Sequence, residues 1–77
     1  MQNFASEHIA IDPRICHGKP VIRGTRVPVA IVTRSLAGGM TFGDVAHEYG
    51  VSLEDIRAAL RFATRLVEEQ QHHPLPA

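Results

Sequence analysis

Between Gly18 and Val29 the chain reads GKPVIRGTRVPV, and this stretch limits the fold more than any other. Pro20 and Pro28 have no amide hydrogen to give a helix, and Gly18 and Gly24 are costly to hold in one. No regular helix passes through it. The segment predicts a basic strand over Val21–Arg23, a turn at Gly24-Thr25 and a helix opening at Pro28. Lys19, Arg23 and Arg26 then sit on a stiff ribbon, so Lys19, Arg23, Thr25 and Arg26 are candidate partner-binding residues. The two arginines could contact nucleic acid, pair with a partner's carboxylates, or fold back onto the chain's own acidic helices. Thr25 could equally well satisfy turn backbone.

Upstream, His8–Ile11 alternates, which puts Ile9 and Ile11 on one face of a short strand that Asp12-Pro13 ends. A loop from Asp12 to Lys19 leads to the second strand, and the two form a small ribbon. Three helices follow. The first spans about Pro28 to Ala37 and stops at Gly38-Gly39. The second is capped by Thr41 with Asp44 three residues on and closed by Gly50. The third is capped by Ser52 with Asp55, and Met40/Val45 and Val51/Ile56 are placed as hydrophobic staples. Leu53, Ile56, Leu60, Ala63 and Val67 step by three and four, the spacing of a core-facing stripe. The fold class is mainly α: a three-helix, helix-turn-helix-like (homeodomain-like) bundle with a short N-terminal β-ribbon.

With 77 residues the chain makes one domain, residues 1–69, and 70–77 read as a frayed tail rich in Pro and His. A chain this short buries only ~60% of its unfolded surface, so it is expected to be marginal alone and to gain stability from a partner or a second copy. Net charge is zero but unevenly spread. Asp12–Arg34 carries five bases (Arg14, Lys19, Arg23, Arg26, Arg34) against one acid, while the chain from Ser35 onward carries three arginines against six acids. That polarity suits oriented pairing with a partner or with itself more than bulk attraction to a polyanion. Four aromatic residues and no Trp leave little for base stacking. Cys16 is single, so no disulfide framework is expected and a reducing, cytoplasmic setting is. No apolar run approaches the ~18 residues of a membrane span, and Met1–Ala10 does not read as a signal peptide.

The second and third helices, joined through Gly50-Val51, have the outline of a helix-turn-helix. Glu54 and Asp55 in the first turn of the third helix oppose phosphate contact there. Arg57, Arg61 and Arg65 step by four along one face and are candidate nucleic-acid contacts, or a solvated face paired with Glu54, Glu68 and Glu69. Cys16-His17 and His8 lack the spacing of a metal site, so no metal or cofactor is expected. Neither a nucleophile–base pair nor a phosphate loop is visible, and the chain is expected not to be an enzyme.

The order Ile11-Asp12-Pro13, Ile15-Cys16, Gly18-Lys19-Pro20-Val21-Ile22, Arg23-Gly24-Thr25-Arg26-Val27-Pro28-Val29, then Leu36-Ala37-Gly38-Gly39-Met40 and Leu53-Glu54-Asp55-Ile56-Arg57-Ala58-Ala59-Leu60 resembles the prokaryotic domain-of-unknown-function family 433. The resemblance runs from about Ile9 to Ala63. It implies a small helix-turn-helix-like fold with a β element at its start. It also implies an antitoxin-like role of the VapB type, neutralising a PIN-like ribonuclease toxin from a neighbouring gene, with homodimers binding their own promoter DNA. A stand-alone dimeric DNA-binding regulator is the alternative. His17 departs from the family, which usually has glycine there; if the position needs a left-handed backbone, histidine is among the residues that sometimes accept it.

Overall fold

The computed structural model describes residues 7–70. In chain order it contains β1 (Ile9–Ala10), a 3-10 turn (Cys16–Gly18), β2 (Val21–Ile22), α1 (Val29–Ala37), α2 (Phe42–Tyr49) and α3 (Leu53–Gln70). The expected mainly α fold with a short ribbon is what forms. The strands are antiparallel, with Ile9 opposite Ile22 and Ala10 opposite Val21. α3 runs through Gln70, the residue at which a tail was expected to begin; 71–77 lie outside the described residues.

β1 is shorter than its alternation predicts. Ile9 is fully buried, whereas Ile11 is 39% exposed. The cause is the turn that starts at Asp12. Its carbonyl accepts from the Ile15 amide at 2.8 Å and its carboxylate from the Arg14 amide at 2.8 Å, which swings the chain off the strand line. The Arg14 side chain closes on the same carboxylate, with Nε at 3.1 Å and Nη2 at 3.0 Å. These bonds from the Arg14 guanidinium and amide hold the Asp12 carboxyl below its ordinary value.

The helix ends follow their sequence signals. The Thr41 hydroxyl accepts from the Asp44 amide at 3.0 Å while the Asp44 carboxylate accepts from the Thr41 amide at 3.2 Å. Ser52 and Asp55 repeat this reciprocal cap at the start of α3, at 2.9 and 3.1 Å. Each satisfies two amides that a helix start leaves without partners. Gly50, at φ 67°, turns the chain out of α2 in a left-handed conformation that a Cβ would strain.

The three helices all touch one another and β1 packs on α3. Ile9, Ile22, Val29, Val32, Val45, Val51, Ile56, Ala59 and Phe62 form one core. The α3 stripe is displaced from its expected position. Ile56, Ala58, Ala59 and Phe62 are buried, while Leu53 is 46% and Val67 52% exposed. A helix covered on one side by α1, α2 and β1 together buries a wide arc, and the two alanines lie at its close-packed centre. Hydropathy spacing ranks alanine too low to show this.

Residues 16–18 are successively left-handed, with φ of 50° at Cys16, 58° at His17 and 84° at Gly18. A left-handed residue with a Cβ costs roughly 1–2 kcal/mol. His17→Gly removes that strain at the loss of some unfolded-state restriction. It is expected to raise stability by ~0.5–1 kcal/mol, seen as a Tm increase of ~2–8 °C in a thermal melt.

Candidate functional site

The Gly18–Val29 segment folds back on itself. The Ile22 amide donates to the Val27 carbonyl at 2.9 Å and the Val29 amide to the Pro20 carbonyl at 2.9 Å. β2 is therefore flanked by β1 on one edge and by the Val27–Pro28 limb on the other, which explains why Val21 and Ile22 are both buried. At the tip, Gly24 takes φ 82°. The Thr25 hydroxyl donates to the Ile22 carbonyl at 2.7 Å and accepts from the Val27 amide at 2.9 Å. Both of its hydrogen-bonding capacities go to the turn.

The two ribbon arginines have different surroundings. Arg23 Nε donates to the Glu7 carbonyl at 3.0 Å and Nη2 to the Ile9 carbonyl at 2.9 Å, so its guanidinium clamps the β1 backbone. These bonds go to main-chain carbonyls, not to acidic helices. Arg26 is exposed, and among the described residues its guanidinium has no hydrogen-bond or ion-pair partner. Its carbonyl accepts from Cys16 Sγ at 3.6 Å, a weak tie between the ribbon and the left-handed turn. Lys19 is also exposed. The ribbon thus offers a guanidinium on a braced backbone, a geometry that suits bidentate pairing with a carboxylate.

Asp55, expected as a cap, has a second role. His8 Nδ1 lies 3.1 Å from its Oδ1, joining the start of β1 to the start of α3. Nothing in the spacing of two residues 47 apart signals this pair. Partial burial is the largest single influence on Asp55 and opposes its ionisation. The Ser52 amide, the His8 ring and the Ser52 hydroxyl together outweigh it and hold the carboxyl below its ordinary value. A depressed carboxyl contributes stability that is complete above the unfolded value, near 3.8, and is lost as pH falls through the folded one. Asp55→Asn is expected to lower the urea midpoint at neutral pH and to flatten its decline below about pH 4, measured by urea titration across that range.

On α3, Arg57 Nη1 and Arg61 Nη2 share the Glu54 carboxylate at 3.4 and 3.5 Å. All three side chains are at least half exposed. Such pairs contribute little to stability. Arg65 is exposed one turn further on. Among the described residues no cluster of three or more His, Cys, Asp or Glu could hold a metal, and no helix is long and apolar enough to cross a membrane.

A groove of about 320 Å³ opens between α3 and the start of α1, lined chiefly by Pro20, Pro28, Ala30, Phe62, Ala63 and Leu66, and among the described residues Lys19 is the only charged one that lines it. Its walls come from residues 19–33 on one side and 62–66 on the other, which periodicity within one element does not connect.

The sequence profile of a family described as a protein of unknown function, DUF433, matches residues 9–63. A protein of Mycobacterium tuberculosis strain H37Rv named "Putative antitoxin VapB45" is 38% identical over 60 residues, 78% of this chain and 25% of that protein. The crystal structure of Rv2018 from Mycobacterium tuberculosis superposes with a TM-score of 0.63 at 44% identity, over 68% of this chain and 24% of that one. The chain spans about a quarter of the length of these relatives.

Proposed function

We propose that this chain, which belongs to the DUF433 family, is an antitoxin-like protein that binds and neutralises a PIN-like ribonuclease toxin encoded beside it. The name carried by the mycobacterial relative supports the antitoxin role. The observation that carries the mechanism is Arg26, a guanidinium without a partner among the described residues, exposed on a turn braced by Thr25, Arg23 and Cys16. A PIN-like nuclease gathers carboxylates around its metal. Bidentate pairing lets a guanidinium occupy that cluster in place of the cation, and with it the position where RNA would be cut. Lys19 adds a second positive charge on the ribbon, while Arg23 and Thr25 act by holding the turn in shape. The chain works by occupation and needs no catalytic group of its own. The test is inhibition of the purified neighbouring nuclease on an RNA substrate: stoichiometric addition of this chain should silence it, and undiminished cleavage would refute the proposal.

A second role, binding of promoter DNA by the toxin–antitoxin complex or by a stand-alone dimer, is favoured by Arg57, Arg61 and Arg65 along one exposed face of α3. Glu54 neutralises two of these arginines, so the effect is small for the chain alone. Affinity for upstream DNA that falls steeply with salt would support it, and a flat response would exclude it.

A further inference from the structure

We propose that the groove between α1 and α3 is the seat of a second copy of this chain, which lays the end of its own α3 across it. The observations behind it do not involve the toxin, although Lys19, the second positive charge of the ribbon, is shared with that reading. α3 has 18 residues and α1 nine, so at ~1.5 Å per residue α3 is the longer by more than 10 Å, and the start of α1 shares the groove with Phe62, Ala63 and Leu66, one turn before α3 ends. The end of α3 is apolar where it meets the groove. Ala63 and Leu66 line it, and Val67 beside them is 52% exposed.

Charge identifies the occupant. α3 ends in Glu68 and Glu69 with no basic residue in its last turn, so two carboxylates add to the negative pole of the helix. Among the described residues neither has an ion-pair partner. The groove presents the opposite sign through Lys19, exposed and likewise without an ion pair among the described residues. One surface thus carries both an acidic apolar helix end and a basic apolar groove, the self-complementarity that a two-fold interface requires. With two α3 segments antiparallel, Leu66 and Val67 of each copy cover the groove of the other. Each Lys19 then meets the other copy's Glu68–Glu69 end. The burial gained answers the marginal core of so small a domain.

The test is sedimentation equilibrium of the full chain and its variants, with circular dichroism to verify folding. The wild type should be a dimer and Val67→Asp a monomer. Lys19→Glu, and separately Glu68→Lys with Glu69→Lys, should each weaken self-association on the order of tenfold or more. An equimolar mixture of the two charge variants should recover wild-type affinity, because both contacts in the mixed dimer are again between opposite charges. A monomeric wild type, or charge variants that pair with themselves as well as the wild type does, overturns the proposal. A monomer whose Val67→Asp variant loses nuclease binding overturns it in favour of a partner protein in the groove.

Discussion

Replacing Arg26 with alanine is expected to weaken binding of the nuclease by ~2–5 kcal/mol, a factor of roughly thirty to several thousand in Kd. The size follows from where the side chain would lie. A charge buried against carboxylates leaves those carboxylates unpaired when it is truncated, and their repulsion adds to the lost attraction. Fold stability should hardly change, since the side chain has no partner within the described residues. Arg26→Lys keeps the charge but loses the planar fork and is expected to recover only part of the affinity. Arg23→Ala separates the two ribbon roles. It releases the Glu7 and Ile9 carbonyls, so its first effect falls on stability, and affinity drops only as the turn loosens. Titrating nuclease inhibition with each variant, beside a urea melt, distinguishes the two arginines. Equal inhibition by wild type and Arg26→Ala would remove Arg26 from the mechanism.

Ile56→Ala is expected to cost ~2–5 kcal/mol, against a total of ~4–12 kcal/mol for a domain of this length. Ile56 is fully buried in the first turns of α3 and belongs to the single core that the ribbon and all three helices share. Truncation leaves a cavity that neighbours on four elements cannot collapse together to fill. Leu53→Ala, three residues earlier on the same expected stripe, is expected to cost less than ~1 kcal/mol because nearly half of Leu53 is already in water. Urea denaturation of the two variants measures the displacement of the stripe directly. Equal losses would mean that α3 packs on the face its hydropathy spacing suggests.

The elements most legible in the sequence were those set by local chemistry. Thr41/Asp44 and Ser52/Asp55 form their reciprocal caps because hydroxyl, amide and carboxylate lie within one turn. Gly50 ends α2 where a left-handed residue is needed. Pro20, Gly24 and Pro28 excluded a helix and left a ribbon as the remaining choice. What stayed hidden depended on distance along the chain. The return limb that pairs Ile22 with Val27 makes β2 a central strand, and only the folded turn shows it. His8 meets Asp55, and Arg23 meets two carbonyls upstream, through contacts that no spacing rule encodes. Ile11 is exposed because the Asp12 turn overrides its alternation. The same distinction applies to the site: charge and stiffness on the ribbon were readable, but not which arginine was already engaged.

The most direct test of the antitoxin reading is co-expression of this chain with the product of its neighbouring gene, followed by size-exclusion chromatography and a ribonuclease assay on the peak. The account predicts one complex that contains both chains and cuts no RNA until the two are separated. Two chains that elute apart, with the nuclease fully active in the presence of this one, would contradict it.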